Sequence, residues 1–390
     1  MIPNFPTRTA RREAVAASAS FDAGGASALE EAWKAASGTM SLARFCDEAG
    51  LVRAWERLAT PGSLPTQSHA FVSALSATLL AGADIEIFFI QGAGGIAALL
   101  PLCRGTGPLA RWRMIGAREV FEPGDALCRD PSAAWLLAEA LARQSRALEL
   151  DRIPAGSPLI PALQAAMQGK GWVSVRPATP SPTITLDAGW KDPERRFNAG
   201  RRSDFRRAAR RASAFGQVSF EMLSPGPDEF DALFDEAIGV EARSWKREAG
   251  TAIAVDRTKE RFFRAYFRSA SEQGGFRVAF MRIDGRVVAM QMALECLDRY
   301  WLFKIGFDER FGRCSPGTLL MLHTIGWAAN RRLHAYELLG NVEPWIAQFW
   351  TREQHDCVRL QTYPFGARGA AAFAADAIAW LGNRLTRRAG

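Results

Sequence analysis

The chain lacks the residue patterns of most metal, disulfide and nucleophile chemistries. Its six cysteines, Cys46, Cys103, Cys128, Cys296, Cys314 and Cys357, include no C-x-x-C pair. Neither a zinc site nor a disulfide framework is indicated, and a reducing compartment fits best. The four histidines, His69, His323, His334 and His355, have no metal-ligand spacing, and no Ser/His/Asp or Cys/His motif is recognisable. No apolar run approaches the ~18–20 residues that a membrane-spanning helix needs, and the N-terminus has no compact apolar core of the signal-peptide kind. A soluble, cytoplasmic protein is expected. No zinc finger or RNA-binding aromatic motif accompanies the basic residues, which argues against a sequence-specific reader of nucleic acid.

What is present is the composition of an ordinary globular enzyme. The chain has 390 residues, 48% hydrophobic and 23% charged, with a formal net charge of +8. That length exceeds one usual domain and can bury ample core. Residues 1–38, rich in Ala, Ser and Gly, read as a flexible leader.

Residues 276–340 carry the clearest pattern. Phe276–Ile283 and Val287–Leu294 read as strands joined at Asp284-Gly285, a type I′ turn signal. A second turn at Leu297-Asp298 leads to a strand over Tyr300–Phe307. Ser315-Pro316-Gly317-Thr318 then opens an apolar helix through about Asn330, followed by a strand at Tyr336–Leu339. Ser315 is expected as the N-cap, with Pro316 at the first helical position. Free N–H groups at such a helix mouth attract an anion, and Gly317 brings no side chain to keep a pyrophosphate away. The plainer reading is that Ser-Pro-Gly is only a good helix start.

The segments "KIGFDERFGRCSPGTLLMLHTIGWA" and "YELLGNVEPWIAQFW" resemble the BioF-like (CelD-type, cellulose-biosynthesis-associated) acetyltransferases of the GNAT superfamily, which is related to the FemAB-type peptidyltransferases. The likeness is most specific over residues 195–363. It implies an α/β (α+β) fold of tandem GNAT-like domains, each a mixed, mostly antiparallel sheet flanked by helices. It also implies acyl transfer, with acetyl-CoA or another acyl-CoA as cosubstrate, no metal, and an amine or hydroxyl acceptor on a cell-envelope or polysaccharide precursor. The superfamily's pyrophosphate loop, Arg/Gln-x-x-Gly-x-Gly/Ala, is not complete around Gly317, so donor identity stays open. An aminoacyl-tRNA-dependent transferase and an inactive scaffold for polysaccharide synthesis are the alternatives.

On this reading the donor site draws on Lys304, Ser315, Gly317, Thr318 and Leu319. Glu337, near the end of the strand after the donor helix, is the candidate base, or else a structural ion pair. Arg206, Trp245, Lys246, Asn341, Glu343 and Trp345 are the candidates for the acceptor side. Lys304 sits in an apolar strand and needs a partner there. His323 is expected in the core, and Cys314 adjoins the anion site.

An earlier stretch repeats the element order. Asp84–Gln91 and Ile96–Leu102 read as a hairpin, followed by strands at Trp112–Gly116 and Leu148–Ile153. Helices over Ser132–Leu148 and Ser157–Gln168 and a strand at Trp172–Arg176 complete the unit. Two copies of one unit are the simplest account, giving domains at 39–190 and 191–366 with a helical tail at 367–390. In the first copy, acidic groups in Phe121–Asp125 would repel a pyrophosphate, so only the second is expected to bind donor.

Between the copies, Arg195, Arg196, Arg201, Arg202, Arg206, Arg207, Arg210 and Arg211 lie on a helix predicted over Pro193–Phe215. They suit the phosphates of CoA, tRNA or a lipid-linked sugar carrier, or form a solvated interdomain helix. The tail, with Phe373, Ile378, Trp380, Leu381 and Leu385 amid Arg384, Arg387 and Arg388, reads as a docked terminal helix or as a peripheral contact with the inner membrane.

Overall fold

The structure, a computed structural model, describes residues 37–389 apart from 49, 93–94, 108 and 245–255. The first half contains β1 (Ser37–Ser41), α1 (Leu42–Asp47), α2 (Leu51–Glu56), α3 (His69–Ala77), β2 (Asp84–Gly92), β3 (Gly95–Arg104), β4 (Trp112–Met114) and β5 (Leu127–Cys128). It closes with α4 (Pro131–Ala142), β6 (Leu148–Pro154), α5 (Leu159–Ala166) and β7 (Gly171–Thr185). The second half runs α6 (Ala199–Ser213), β8 (Val218–Leu223), α7 (Pro227–Glu241), α8 (Arg257–Glu272), β9 (Phe276–Ile283), β10 (Arg286–Cys296) and β11 (Arg299–Phe307). After it come α9 (Pro316–Asn330), β12 (Ala335–Glu337), α10 (Pro344–Phe349), β13 (Gln354–Pro364) and α11 (Ala367–Ala389).

The strands join in one sheet, in the order β1-β2-β3-β4-β6-β13-β7-β12-β11-β10-β9-β8, with β5 paired to β3. Only β4·β6 and β11·β12 are parallel; every other pairing is antiparallel. The two halves repeat one element order, as the duplicated pattern implies, but they exchange their last strands. β13, from the end of the second half, lies against β6 of the first, and the end of β7 lies against β12 of the second. The expected 191–366 unit therefore has its final strand seated in the sheet of the other half.

Local chemistry explains the hairpins. Asp284 and Gly285 both adopt positive φ (48° and 77°), as do Leu297 and Asp298 (54° and 59°), the geometry that a two-residue turn between twisted strands demands. The arginine-rich helix is shorter than its sequence pattern. A 3-10 turn at Pro193–Arg196 ends in extended backbone at Phe197, and α6 starts afresh, with Asn198 accepting the Arg201 N–H at 2.9 Å. An internal N-cap competes with continuous helix there because its oxygen satisfies an otherwise orphaned donor.

One apolar core crosses between the halves. Phe71 of α3 meets Phe262 and Tyr266 of α8 edge-on at 5.5 and 5.2 Å, and the Tyr266 hydroxyl donates to the Pro65 carbonyl at 3.0 Å. Each buried aromatic ring of this kind contributes roughly 2–3 kcal/mol of hydrophobic stabilisation, so the halves are held as one body rather than as beads on a string. Among the described residues no helix is long and apolar enough to cross a membrane.

Candidate active site

The site begins where two strands part. β12 pairs with β11 only from Arg299 to Trp301, while β11 continues to Phe307. The register between β10 and β11 also shifts beside Phe303, an extra residue opposite Met292 and Ala293 that bends β11 outward. Gly306 permits the close approach of α7, since a Cβ there would stand 3.1 Å from the Glu241 Cα.

Into this divergence opens a cavity of about 460 Å³. It is bounded by the end of β11 (Ile305, Gly306, Phe307), the first turns of α9 (Ser315, Gly317, Thr318), one face of α6 and the α10 aromatics Trp345, Phe349 and Trp350. The α6 positions are Arg201, Asp204, Phe205 and Ala208, spaced three to four apart on one helical face. The Arg201 guanidinium lies 3.7 Å from the Phe349 ring centroid.

The mouth of α9 differs from its sequence expectation in a way that leaves it open. Ser315 takes the N-cap position in the left-handed conformation (φ 47°), and its side chain makes no capping bond. Its carbonyl accepts the Thr318 and Leu319 N–H groups at 3.0 and 3.2 Å, Pro316 has no N–H, and the Gly317 N–H has no backbone partner among the described residues. A Cβ on Gly317 would meet only the Phe307 ring, at 3.5 Å.

The equivalent helix of the first half is closed. Asp130 caps α4 by accepting the Ala133 N–H at 2.8 Å, which puts a carboxylate where the second half has an open mouth. The acidic residues expected to do this, in 121–125, lie elsewhere. Glu122 is buried and accepts the Gly340 N–H at 3.3 Å; burial pushes its carboxyl up, against the pull of that N–H, Arg152 and Lys304. Asp125 is likewise pushed up to about 7 by burial, although Ser157 and the Ala126 N–H donate to it.

Of the expected donor residues, Ser315, Gly317 and Thr318 line the cavity and two do not. Leu319 packs into the core beside Ala208 and Ala212. The Lys304 ammonium lies 4.2 Å from the Phe263 ring centroid, toward α8 and away from the cavity. Trp345 lines the cavity; Asn341 and Glu343 are exposed in the loop before α10 and lie outside it. Arg206 is exposed off the lining face of α6, its Nε donating to the Arg202 carbonyl at 3.3 Å. Trp245 and Lys246 lie outside the described residues.

Glu337 is 1% exposed and does not reach the cavity. Arg299 donates to its carboxylate, and His355 Nε2 stands 3.0 and 3.2 Å from its two oxygens. Burial pushes this carboxyl up, but His355 and Arg299 together hold it below the ordinary carboxylate range. His323 stacks on Phe220 at 5.0 Å, half-buried, and burial lowers its pKa. Cys314 is buried with its thiol directed at the Phe311 carbonyl, and burial pushes its pKa up, away from thiolate chemistry.

The sequence reading missed Asp204, Phe205, Met290, Gln291 and Phe349. The helical spacing of 201, 204, 205 and 208 was a usable signal, and so was Gln291, a polar residue amid the apolar run VVAMQMAL. Gln291 Oε1 accepts from the buried Tyr336 hydroxyl at 3.0 Å, and that hydroxyl also meets Thr324 Oγ1 at 2.9 Å. Alongside, Arg211, Ala214 and Phe215 at the end of α6, with Arg313 before α9, line a second, open recess.

Residues 199–345 match the family described as "Acetyltransferase (GNAT) domain", so the chain carries a domain of that type, with α6, α9 and the parted strands inside it. No curated protein sequence matches the chain. Among solved structures, FemX is similar at 10% identity over 80% of this chain and 96% of FemX, with a TM-score of 0.53. A conserved protein of unknown function from Bacteroides thetaiotaomicron is similar at 10% identity over 80% of this chain and 96% of its own, with a TM-score of 0.51. The C-terminal domain of a putative lysylphosphatidylglycerol synthetase from Agrobacterium fabrum is similar at 13% identity over 84% of this chain and 95% of its own, with a TM-score of 0.50. At such identities the likeness is one of fold.

Proposed function

We propose that the protein transfers an acyl group, acetyl in the simplest case, from acyl-CoA to an amine or hydroxyl of a cell-envelope or polysaccharide precursor. The observation that carries this reading is the open, uncapped mouth of α9 at one end of the cavity between β11 and α6. A pyrophosphate set against the Gly317 N–H would be held by the amide and by the helix dipole. The rest of the carrier would then follow the apolar floor toward the parting of β11 and β12. Arg211 and Arg313 in the neighbouring recess suit a further phosphate at the carrier's distal end.

A thioester is already activated, so the chain's own work is alignment and exclusion of water. Ile305, Phe307, Trp345 and Trp350 supply an apolar enclosure for that purpose. The resemblance of residues 195–363 to the BioF-like, CelD-type branch supports acetyl as the acyl group and a polysaccharide setting.

A second reading, aminoacyl transfer from charged tRNA, is favoured by the arginine-rich α6 beside the cavity and by fold-level likeness to FemX. Calorimetric titration with acetyl-CoA tests the first reading and filter binding of aminoacyl-tRNA the second. No heat with acetyl-CoA at about millimolar concentration, together with retention of charged tRNA, would replace the first by the second. Binding of neither would leave the scaffold alternative.

A further inference from the structure

Among the described residues, α11 is fastened at its start, where Arg368 Nη1 donates to Ser145 Oγ at 2.9 Å, and at its middle. Asp376 is the middle point: Arg111 Nη1 and the Tyr363 hydroxyl each donate to it at 2.7 Å, and Gln361 Nε2 donates at 3.0 Å. Arg111 Nη2 also donates to the Ala372 carbonyl at 2.7 Å. The chain can turn sharply into this helix because residue 369 is glycine; a Cβ there would collide with the Pro364 carbonyl oxygen.

Beyond this point the described part of the helix exposes large apolar side chains. Ile378 is 70% exposed, and Leu381, three residues further round the same face, is 53% exposed. Next to the start of the helix, Trp172 meets Phe365 at 5.8 Å and Phe373 at 5.3 Å, so the exposed aromatics form a cluster rather than scattered single residues. Trp172, Phe365, Phe373, Ile378, Trp380 and Leu381 are six of the eleven large hydrophobic residues that the described chain leaves exposed. One end of the molecule thus concentrates most of that surface, which for a water-soluble protein marks a contact surface.

Charge identifies what would cover it. After Asp376, which is already paired, the only charged residues in the sequence are Arg384, Arg387 and Arg388. Arg368, at the first turn of α11, is exposed as well. An apolar face with indole rings beside it and a purely cationic end has the composition of a helix that lies in the headgroup layer, with its rings at the acyl boundary and its arginines on lipid phosphates.

We propose that α11 and the Trp172–Phe365 cluster form a docking surface for an anionic lipid bilayer, on which the protein lies peripherally. The surface shares no residue with the cavity at the α9 mouth, and the inference does not depend on the acyl-transfer reading. It carries a use for the geometry, since an enzyme held at a membrane meets lipid-borne acceptors at high local concentration.

The test is co-sedimentation of the full chain with vesicles of phosphatidylcholine alone and of phosphatidylcholine mixed with phosphatidylglycerol. The expected result is binding at least about tenfold tighter to the anionic vesicles, weakening as salt is raised. Ile378→Asp and Leu381→Asp should each weaken it by about tenfold, because each removes a buried aliphatic side chain from the bound state. Both positions are exposed, so melting temperatures should stay at the parent value. The triple change of Arg384, Arg387 and Arg388 to alanine should abolish the preference for anionic vesicles. Failure of the parent to bind anionic vesicles at low salt would overturn the proposal, as would aspartate variants that bind like the parent. Self-association in sedimentation equilibrium that the aspartate variants abolish, without vesicle binding, would assign the surface to a second copy and overturn it too.

Discussion

The Asp130 carboxylate accepts the Ala133 N–H at 2.8 Å and so closes the mouth of α4, in the half that repeats the element order of α9. At the α9 mouth Ser315 holds the same position without a side-chain cap. The fold thus presents two related helix starts, one neutralised by its own carboxylate and one open to an anion.

Gly317→Asp imposes on the second mouth the charge present at the first. Acetyl-CoA affinity should fall by about thirtyfold or more, ~2 kcal/mol, while the fold persists, because the new Cβ meets only Phe307 at van der Waals distance. Gly317→Ala is the steric control and should bind within a few-fold of the parent. Calorimetry with a parallel thermal melt checks both; an unchanged affinity in the aspartate variant removes the anion-site argument.

Ser315→Gly should stabilise the protein by about 1 kcal/mol, since a left-handed φ of 47° strains any residue with a Cβ and no capping bond is lost. Urea unfolding gives the number. If the hydroxyl contacts the donor, the same variant weakens acetyl-CoA binding while raising stability, a combination that a purely structural serine would not produce.

Glu337→Gln should cost about 2–4 kcal/mol of stability, because Arg299 and His355 would lose the buried carboxylate they share. Acetyl-CoA binding should be unaffected, as Glu337 does not line the cavity. The wild-type pair also has a pH signature. A carboxyl held below its unfolded value contributes stability that is present above about pH 4.5 and is lost as pH falls through the native pKa. A variant of full stability that had lost only turnover would instead make Glu337 the base.

Asp125 acts in the opposite direction. With its native pKa raised to about 7, it stays protonated in the fold while the unfolded chain ionises, so it erodes stability as pH rises from about 4 to 7. Asp125→Asn keeps the acceptor for Ser157 and for the Ala126 N–H and removes the titration. The variant should be more stable than the parent by on the order of 2–4 kcal/mol at pH 8 and equal to it near pH 4. Buried Glu122, facing Arg152 and Lys304, slopes the same way and remains in the variant. Denaturant melts across pH settle the difference.

Much of the local structure was legible in the chain because it is set by neighbours in sequence. Asp284-Gly285 fixes its turn by positive φ, Pro316-Gly317 marks a helix start, and the alternation and helical spacing around them fix strand and helix identity. The strand predicted at Trp172–Arg176 is part of a much longer one, Gly171–Thr185, because its far end is held by β12, a partner about 150 residues away in sequence that no local pattern announces. The site divides in the same way. Gly317 and Thr318 were readable from the helix start, whereas Asp204, Gln291 and Phe349 reach the cavity only because α6, β10 and α10 converge on it.

The sequence by itself determined the repeated element order, the uncharged mouth of α9 and the cationic, apolar tail, since each is a property of contiguous residues. Only the tertiary structure decided that β7 and β13 change places between the halves, that Glu337 is committed to Arg299 and His355, and that Ile378 and Leu381 of α11 are left exposed. Those outcomes depend on which distant groups compete for the same buried space, a competition settled by packing and desolvation across the whole chain.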